Sequence, residues 1–231
     1  MNNGREKIQR LILTIIAVVS IVGTIQAGPT FSFVSITNNN AESAAIGEAQ
    51  LSVELFDLGD AVTFVFSNSG TEASSICDIY FDDGINSLFS SPITLADIDN
   101  SEAGVSFSPG ATPGNLPGGN TVSFFATDGL SADSDSPITA NGVNPGETVG
   151  ITLSYNDGVD FDDLLNEMAN GDLCIGLHVQ GFSNGFSEGF ITNGFPSVVP
   201  VPGSLLLATI GIGSIRLLRR KNKHIKLKQH D

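Results

Sequence analysis

The chain has 231 residues, of which 41% are apolar and 15% charged, with a formal net charge of -15 at pH 7. All ten Lys and Arg lie within 5–10 or 216–228, while 23 of the 25 Asp and Glu lie between Gly28 and Val198, where His178 is the sole imidazole. A segment without fixed cations cannot displace counterions from a phosphate backbone or seat on anionic lipid, which excludes nucleic acid as a partner and a lipid-binding face on the middle segment.

The first element in chain order is a signal peptide over 1–27. Arg5, Lys7 and Arg10 supply the basic region, Leu11–Val22 the apolar stretch and Ala27 the small residue at the cut. Left uncleaved, the same segment would be an anchor. In both cases the positive charge stays cytoplasmic and the following segment is translocated.

From 28 to 198 the sequence reads as one extracellular β-domain. High net charge alone would suit a disordered chain, but Val, Ile, Leu and Phe recur at regular intervals and predict a packed core. Short alternating runs predict half-buried strands: "FSFVSIT", "QLSVELF", "AVTFVFS", "SICDIYF", "GVSFS", "TVSFFAT", "ETVGITLSY" and "LCIGLHVQ". In "AVTFVFS", Val62, Phe64 and Phe66 share one face. Asp83-Gly84, Asp128-Gly129, Asn141-Gly142, Asp157-Gly158 and Asn184-Gly185 are turn signals, and "SPGATPGNLPGGN" is a loop. One helix interrupts the pattern: Asp160 caps "FDDLLNEMAN", Gly171 ends it, and Phe161, Leu164, Leu165 and Met168 face the sheet. The fold class is all-β, a jelly-roll-like β-sandwich with one short helix.

Little in this domain points to catalysis. Ser183 and Ser187 both fall in G-x-S-x-G matches, yet the following "FITNGFPSVVP" cannot form the helix of a nucleophile elbow, and no His follows before the tail. They belong to a Gly/Ser-rich loop between two strands. His178 lies on one strand face with Cys174, Gly176 and Gln180 and reads as a structural hydrogen-bonding residue. A zinc site built on several His is excluded. Two carboxylates could still perform acid-only glycoside hydrolysis, but there is no Trp, and a sugar platform would have to use Phe.

Asp82, Asp83, Asp133 and Asp135 are candidate ligands for a hard cation such as calcium. Asp157, Asp160, Asp162 and Asp163 compete with a helix start for that role. Cys77 and Cys174 are the chain's two cysteines, and an even pair in an exported segment has the pattern of one disulfide. Against that pairing, Cys77 shares its strand face with the apolar Ile79 and Phe81, whereas Cys174 lies opposite its strand's most apolar face.

The tail over 199–231 begins "VPVPG". Pro200 and Pro202 delay helix formation, Gly203–Leu218 can span roughly 24 Å as a transmembrane helix, and the basic cluster from Arg219 keeps the C-terminus inside. This three-part order resembles the PEP-CTERM sorting signal of exported bacterial proteins. Val199, Pro200, Val201 and Pro202 match the motif, with Val201 where the pattern most often has Glu, and Arg219, Arg220 and Lys221 match the basic cluster. The resemblance implies cleavage near Pro-x-Pro by an exosortase-type membrane enzyme and delivery to the cell surface or its polysaccharide. The segments "ICDIYFDDG", "VSFSPGATPGNLPGGN", "GLSADSDSPITANGVNPGE" and "GLHVQGFSNGFSEGF" together resemble an exported β-domain that bears such a tail and has no assigned activity.

The function expected from these readings is non-enzymatic: an exported cell-surface or matrix-associated protein, held in the membrane by its C-terminal helix until processed. The rival is a glycan-binding or glycoside-active domain acting on extracellular polysaccharide. No cofactor is expected apart from the candidate calcium.

Overall fold

Alternation of apolar and polar residues builds a mostly β domain in the computed structural model, which describes residues 28–84 and 88–194. The expected signal peptide, the sorting residues, the helix over 203–218 and the basic cluster lie outside the described residues. Ten strands are described: β1 (Thr30–Ser35), β2 (Leu51–Asp57), β3 (Ala61–Asn68), β4 (Ser75–Asp82), β5 (Ile98–Asp99), β6 (Phe107–Pro109), β7 (Ser131–Ser134), β8 (Thr148–Ser154), β9 (Cys174–Gln180) and β10 (Glu188–Thr192). Their order is β5-β8-β3-β2-β1-β10-β9-β4-β7-β6, and every pairing is antiparallel.

β1 joins two halves of this sheet. Its first half pairs with β2 (Phe31 opposite Val53), and its second half pairs with β10 (Val34 opposite Ile191). The halves bury their inner faces against one another. Val62, Phe64 and Phe66 of β3 point inward, as the period-2 pattern predicts. The ring of Phe81 on β4 lies 5.0 Å from Phe64 and 6.2 Å from Phe66, edge to face in both cases.

The sheet is nearly closed. β5 and β6 stand at opposite ends of the strand order, yet Asn100, one residue past β5, bridges them with its side chain. The Phe107 N–H donates to Asn100 Oδ1 at 2.8 Å, and Asn100 Nδ2 donates to the Phe107 carbonyl at 2.9 Å. A carboxamide thus supplies the donor and acceptor that a neighbouring strand would supply.

The helix content corrects the sequence reading, which predicts a single helix. Three are described: α1 (Ala41–Gln50), α2 (Ile138–Asn141) and α3 (Phe161–Asn170). α3 is the predicted one. Asp160 accepts from the Asp163 N–H while Asp163 returns a bond to the Asp160 N–H, Gly171 ends the helix at φ 81°, and Leu164 and Met168 are buried. α1 was not predicted because "AESAAIGEAQ" has no apolar stripe. Its start is set instead by Asn40, whose Oδ1 accepts from the Glu42 and Ser43 N–H groups. It lies close on β10, since a Cβ on Gly47 would stand 2.1 Å from the Phe190 ring.

"TVSFFAT" is the second correction. It is not a strand but part of a strap, residues 110–127, that crosses the outer face of β4 and β9. Phe124 is its buried pin, packed with Leu116 against Tyr80, while Val122 and Phe125 are exposed. Tyr80 Oη donates to the Pro113 carbonyl at 2.9 Å, the Phe125 N–H to Asp82 Oδ2 at 2.8 Å and the Thr127 N–H to the Phe81 carbonyl at 2.8 Å. Gly176 makes room for the strap, because a Cβ there would meet Leu116 and Phe124 at 2.8 Å. The covered outer face explains why β4 is buried on both sides. β5, β7 and β10 are not among the predicted strands.

Candidate functional site

A β-bulge in β4 aligns a partly buried titratable cluster on the outer face. The register shifts between Ile76 and Asp78, so Ile76, Ile79 and Phe81 all reach the core, while Asp78, Tyr80 and Asp82 face outward. Cys77 occupies the bulge, which corrects the sequence reading that placed it in line with Ile79 and Phe81. Asp78 then stands opposite His178 of β9 on one side and Asp133 of β7 on the other. Three titratable side chains form a row across three neighbouring strands.

The geometry of the row is tight. His178 Nδ1 lies 2.7 Å from Asp78 Oδ2, and Gln180 Nε2 approaches the same ring nitrogen at 3.5 Å. Asp78 is 2% exposed, and its Oδ1 is buried without a hydrogen-bond partner. Burial pushes the Asp133 carboxyl up to about 6, reinforced by the Asp78 charge; the Thr112 N–H opposes the shift. Asp135 lies just beyond, and the hydroxyls of Ser106 (2.6 Å) and Ser108 (2.7 Å) hold it below the usual carboxylate range.

An imidazole oriented by a buried carboxylate is half of a nucleophilic relay. The thiol beside it does not complete one, because burial pushes Cys77 up to about 11 and leaves it protonated at neutral pH. Ser183 and Ser187 lie in the β9–β10 loop as predicted, outside any strand-to-helix turn. Asp78 and Asp133 occupy directly opposed positions on β4 and β7, and Asp78 is buried, whereas glycosidase carboxylates flank a bound substrate.

The four candidate calcium ligands do not converge. Asp82 accepts from the Gly84 and Phe125 N–H groups. Asp83 is buried and accepts from the Leu88 N–H with both oxygens, and burial pushes it up to about 6. Asp133 and Asp135 belong to the row and its neighbouring hydroxyls. Among the described residues, no group of three or more His, Cys, Asp or Glu is arranged to hold a metal ion.

Cys77 and Cys174 are free thiols, a correction to the disulfide pattern. The register sets Cys174 opposite Asp82, five residues along β4 from Cys77. At about 3.3 Å per residue that separation is roughly 16 Å, far beyond the span of a disulfide.

Asp78 is the site residue that sequence reading missed. Its signal was a lone carboxylate in "SICDIYF", where every other residue is apolar or small. The bulge that aims it outward leaves no mark in a single sequence. Compared with known protein families, curated proteins and solved structures, the chain matches none.

Proposed function

We propose that the chain is a non-enzymatic exported protein that acts at the cell surface or in the extracellular matrix after an exosortase-type enzyme processes its tail. The observation that carries this reading is the distribution of charge. Every Lys and Arg lies in the two end segments, and 23 acidic residues without a fixed cation lie between them. Such a chain is built to leave its ends on the cytoplasmic side during synthesis and send its middle across. The jelly-roll-like sandwich reading of 28–198 rests on β1, which pairs with both halves of the sheet, and on the Phe64–Phe81 contact between them. A non-enzymatic role fits carboxylates that hold backbone groups: Glu188, buried, accepts from the N–H groups of Asn39 and Asn40 and from the Thr37 hydroxyl.

The second reading, a glycan-binding or glycoside-active domain, is favoured by Phe125. The residue is 59% exposed, and its backbone N–H is fixed by Asp82, so it offers an apolar platform beside a carboxylate.

One experiment separates these readings from each other and from a permanent anchor. Intact mass of the protein recovered outside the producing cell should show a C-terminus near Pro200–Pro202 and an N-terminus near Gly28. Only full-length protein ending at Asp231, retained in the membrane, would sink the sorting reading. The same secreted species, tested against the producer's own polysaccharide, should neither bind nor cleave it. Binding that Phe125→Ala abolishes would shift the conclusion to the glycan domain.

A further inference from the structure

We propose that Asp133 and Asp78 share one proton across the β4–β7 seam while His178 holds the far oxygen of Asp78, and that this unit latches the β6–β7 ribbon onto β4, tight while the proton is held and looser once it is lost. The inference is independent of export and of any ligand.

Three observations converge on it. The first is register: Asp133, Asp78 and His178 occupy directly opposed positions on β7, β4 and β9. Opposed side chains on one sheet face have Cβ atoms only about 4.5–5.5 Å apart, and like charges there repel. The second is the hydrogen-bond inventory of Asp78. A proton on His178 Nδ1 serves Oδ2 at 2.7 Å, whereas Oδ1 is buried and has no donor. A carboxylate can only accept, so the group opposite it satisfies Oδ1 only if Asp133 keeps a proton to donate. The third is that this proton is held unusually well: burial first, then the Asp78 charge, pushes Asp133 up to about 6.

The surroundings leave the unit no other source of positive charge. From β4, Cys77 and Tyr80 flank Asp78, and burial raises both of their pKa values, so both stay neutral. From β9 come His178 and the uncharged Gln180. Asp135 adds a further negative charge just past the end of β7. The strap contributes the Thr112 N–H to Asp133. Below about pH 6 Asp133 is therefore a carboxylic acid that can donate to Asp78. Above it, two carboxylates face one another across the β4–β7 seam, and Oδ1 loses its donor. Two interacting sites titrate as a pair, so the loss is a property of the unit and not of one residue.

The structure indicates what yields. β7 is four residues long, and beyond it only the three-residue β6 completes that end of the strand order. β9 and β10 on the other side of β4 are longer and paired along their length. Relief of the repulsion falls on the weaker seam.

The test uses carboxyl carbon NMR titration of the full-length protein together with amide hydrogen exchange, corrected for intrinsic rate, between pH 5 and pH 8. The expected result is a biphasic carboxyl titration shared by Asp78 and Asp133, with one step near pH 6, and protection of β6 and β7 amides falling at least tenfold above that step. Asp133→Asn supplies a permanent donor to Oδ1 without charge and should make β6–β7 protection flat across the range. His178→Gln, which keeps a donor but cannot titrate, should retain the Asp133 step. Independent titration of both carboxyls near pH 4 would overturn the proposal, as would an Asp133→Asn protein with wild-type pH dependence of protection. If Asp133→Asn fails to fold, the wild-type titration decides alone.

Discussion

Tyr155 carries a hydroxyl that the fold buries without a hydrogen bond, and burial, reinforced by the Asp57 and Asp160 charges, raises its pKa. An orphan hydroxyl costs its desolvation and returns nothing. Tyr155→Phe removes that cost and keeps the ring, so the domain should gain stability, by about 1 kcal/mol. Asn68 is the opposite case at the same scale. Its side chain joins Gln50, Ser74 and the Val143 carbonyl in a buried network whose donors and acceptors meet: Gln50 Nε2 donates to Asn68 Oδ1 at 3.1 Å, and Asn68 Nδ2 donates to the Ser74 carbonyl at 3.1 Å. Asn68→Ala removes one partner each from the Gln50 amide, the Ser74 carbonyl and the Val143 carbonyl, although Gln50 keeps Glu72 and Ser74 and Val143 keeps the Ile76 N–H, and should cost about 1–3 kcal/mol. Chemical denaturation of the two variants should therefore move the midpoint in opposite directions. A Tyr155→Phe domain less stable than the parent would show that the hydroxyl has a partner after all.

At the scale of elements, the end strands set the most exposed weakness. β5 and β6 are two and three residues long, and between them only the Asn100 carboxamide occupies the Phe107 N–H and carbonyl. Asn100→Leu keeps the volume and removes both partners, so it should destabilise by about 1–3 kcal/mol and leave two open strand edges that invite association. Faster exchange of the Phe107 amide and concentration-dependent aggregation are the expected readouts; an unchanged exchange rate would mean the edge is closed by other contacts. What could be read from the sequence at this scale follows from period. β3, β8 and β9 alternate cleanly, and α3 carries both a cap and an apolar face, so their types and near-boundaries were legible. α1 was not, because it is held by Asn40 and by contact with Phe190 instead of by an apolar stripe. "TVSFFAT" has strand composition, but Ser123 takes a φ of 60° and the run bends into the strap. β7 is four residues of "SADS", polar enough to pass for a turn. The candidate site failed to emerge for a related reason. His178 was placed on the correct face, yet its partners come from β4 and β7 through a register that a bulge resets, and no single-strand pattern encodes which strands are neighbours. The two cysteines that composition alone would pair are kept apart because the antiparallel pairing of β4 and β9 sets Cys174 opposite Asp82.

For the whole molecule, acidity and burial act in the same direction and predict an unusual pH dependence. Asp83 and Asp133 are both raised to about 6 in the folded state, chiefly by burial. In the unfolded chain they titrate near 3.9. A folded state that holds its protons more tightly than the unfolded state gains stability where those protons are bound, so this contribution is complete below about pH 4 and lost as pH rises to about 6. General self-repulsion adds to it, because 23 acidic residues face no Lys or Arg between Gly28 and Val198, and each proton gained relieves the rest. Asp99 and Asp135 oppose the trend. Hydroxyl and backbone groups of Ser101, and the hydroxyls of Ser106 and Ser108, depress them, so their contribution is present above the unfolded value and lost as pH falls further. The melting temperature of the domain should therefore rise as pH is lowered from 8 toward about 5, pass through a maximum in the acid range, and fall only below it. Added salt should raise it most at pH 8, where the repulsion to be screened is greatest, and least near pH 5. Because the candidate calcium ligands are already occupied by backbone and hydroxyl donors, calcium chloride and sodium chloride at equal ionic strength should give equal shifts. Thermal melts over pH 4–8 in both salts check all three statements. A melting temperature that falls steadily on acidification from pH 7 would show that the paired and depressed carboxylates outweigh the buried ones, and a calcium-specific rise would restore a metal site that the described side chains do not assemble by themselves.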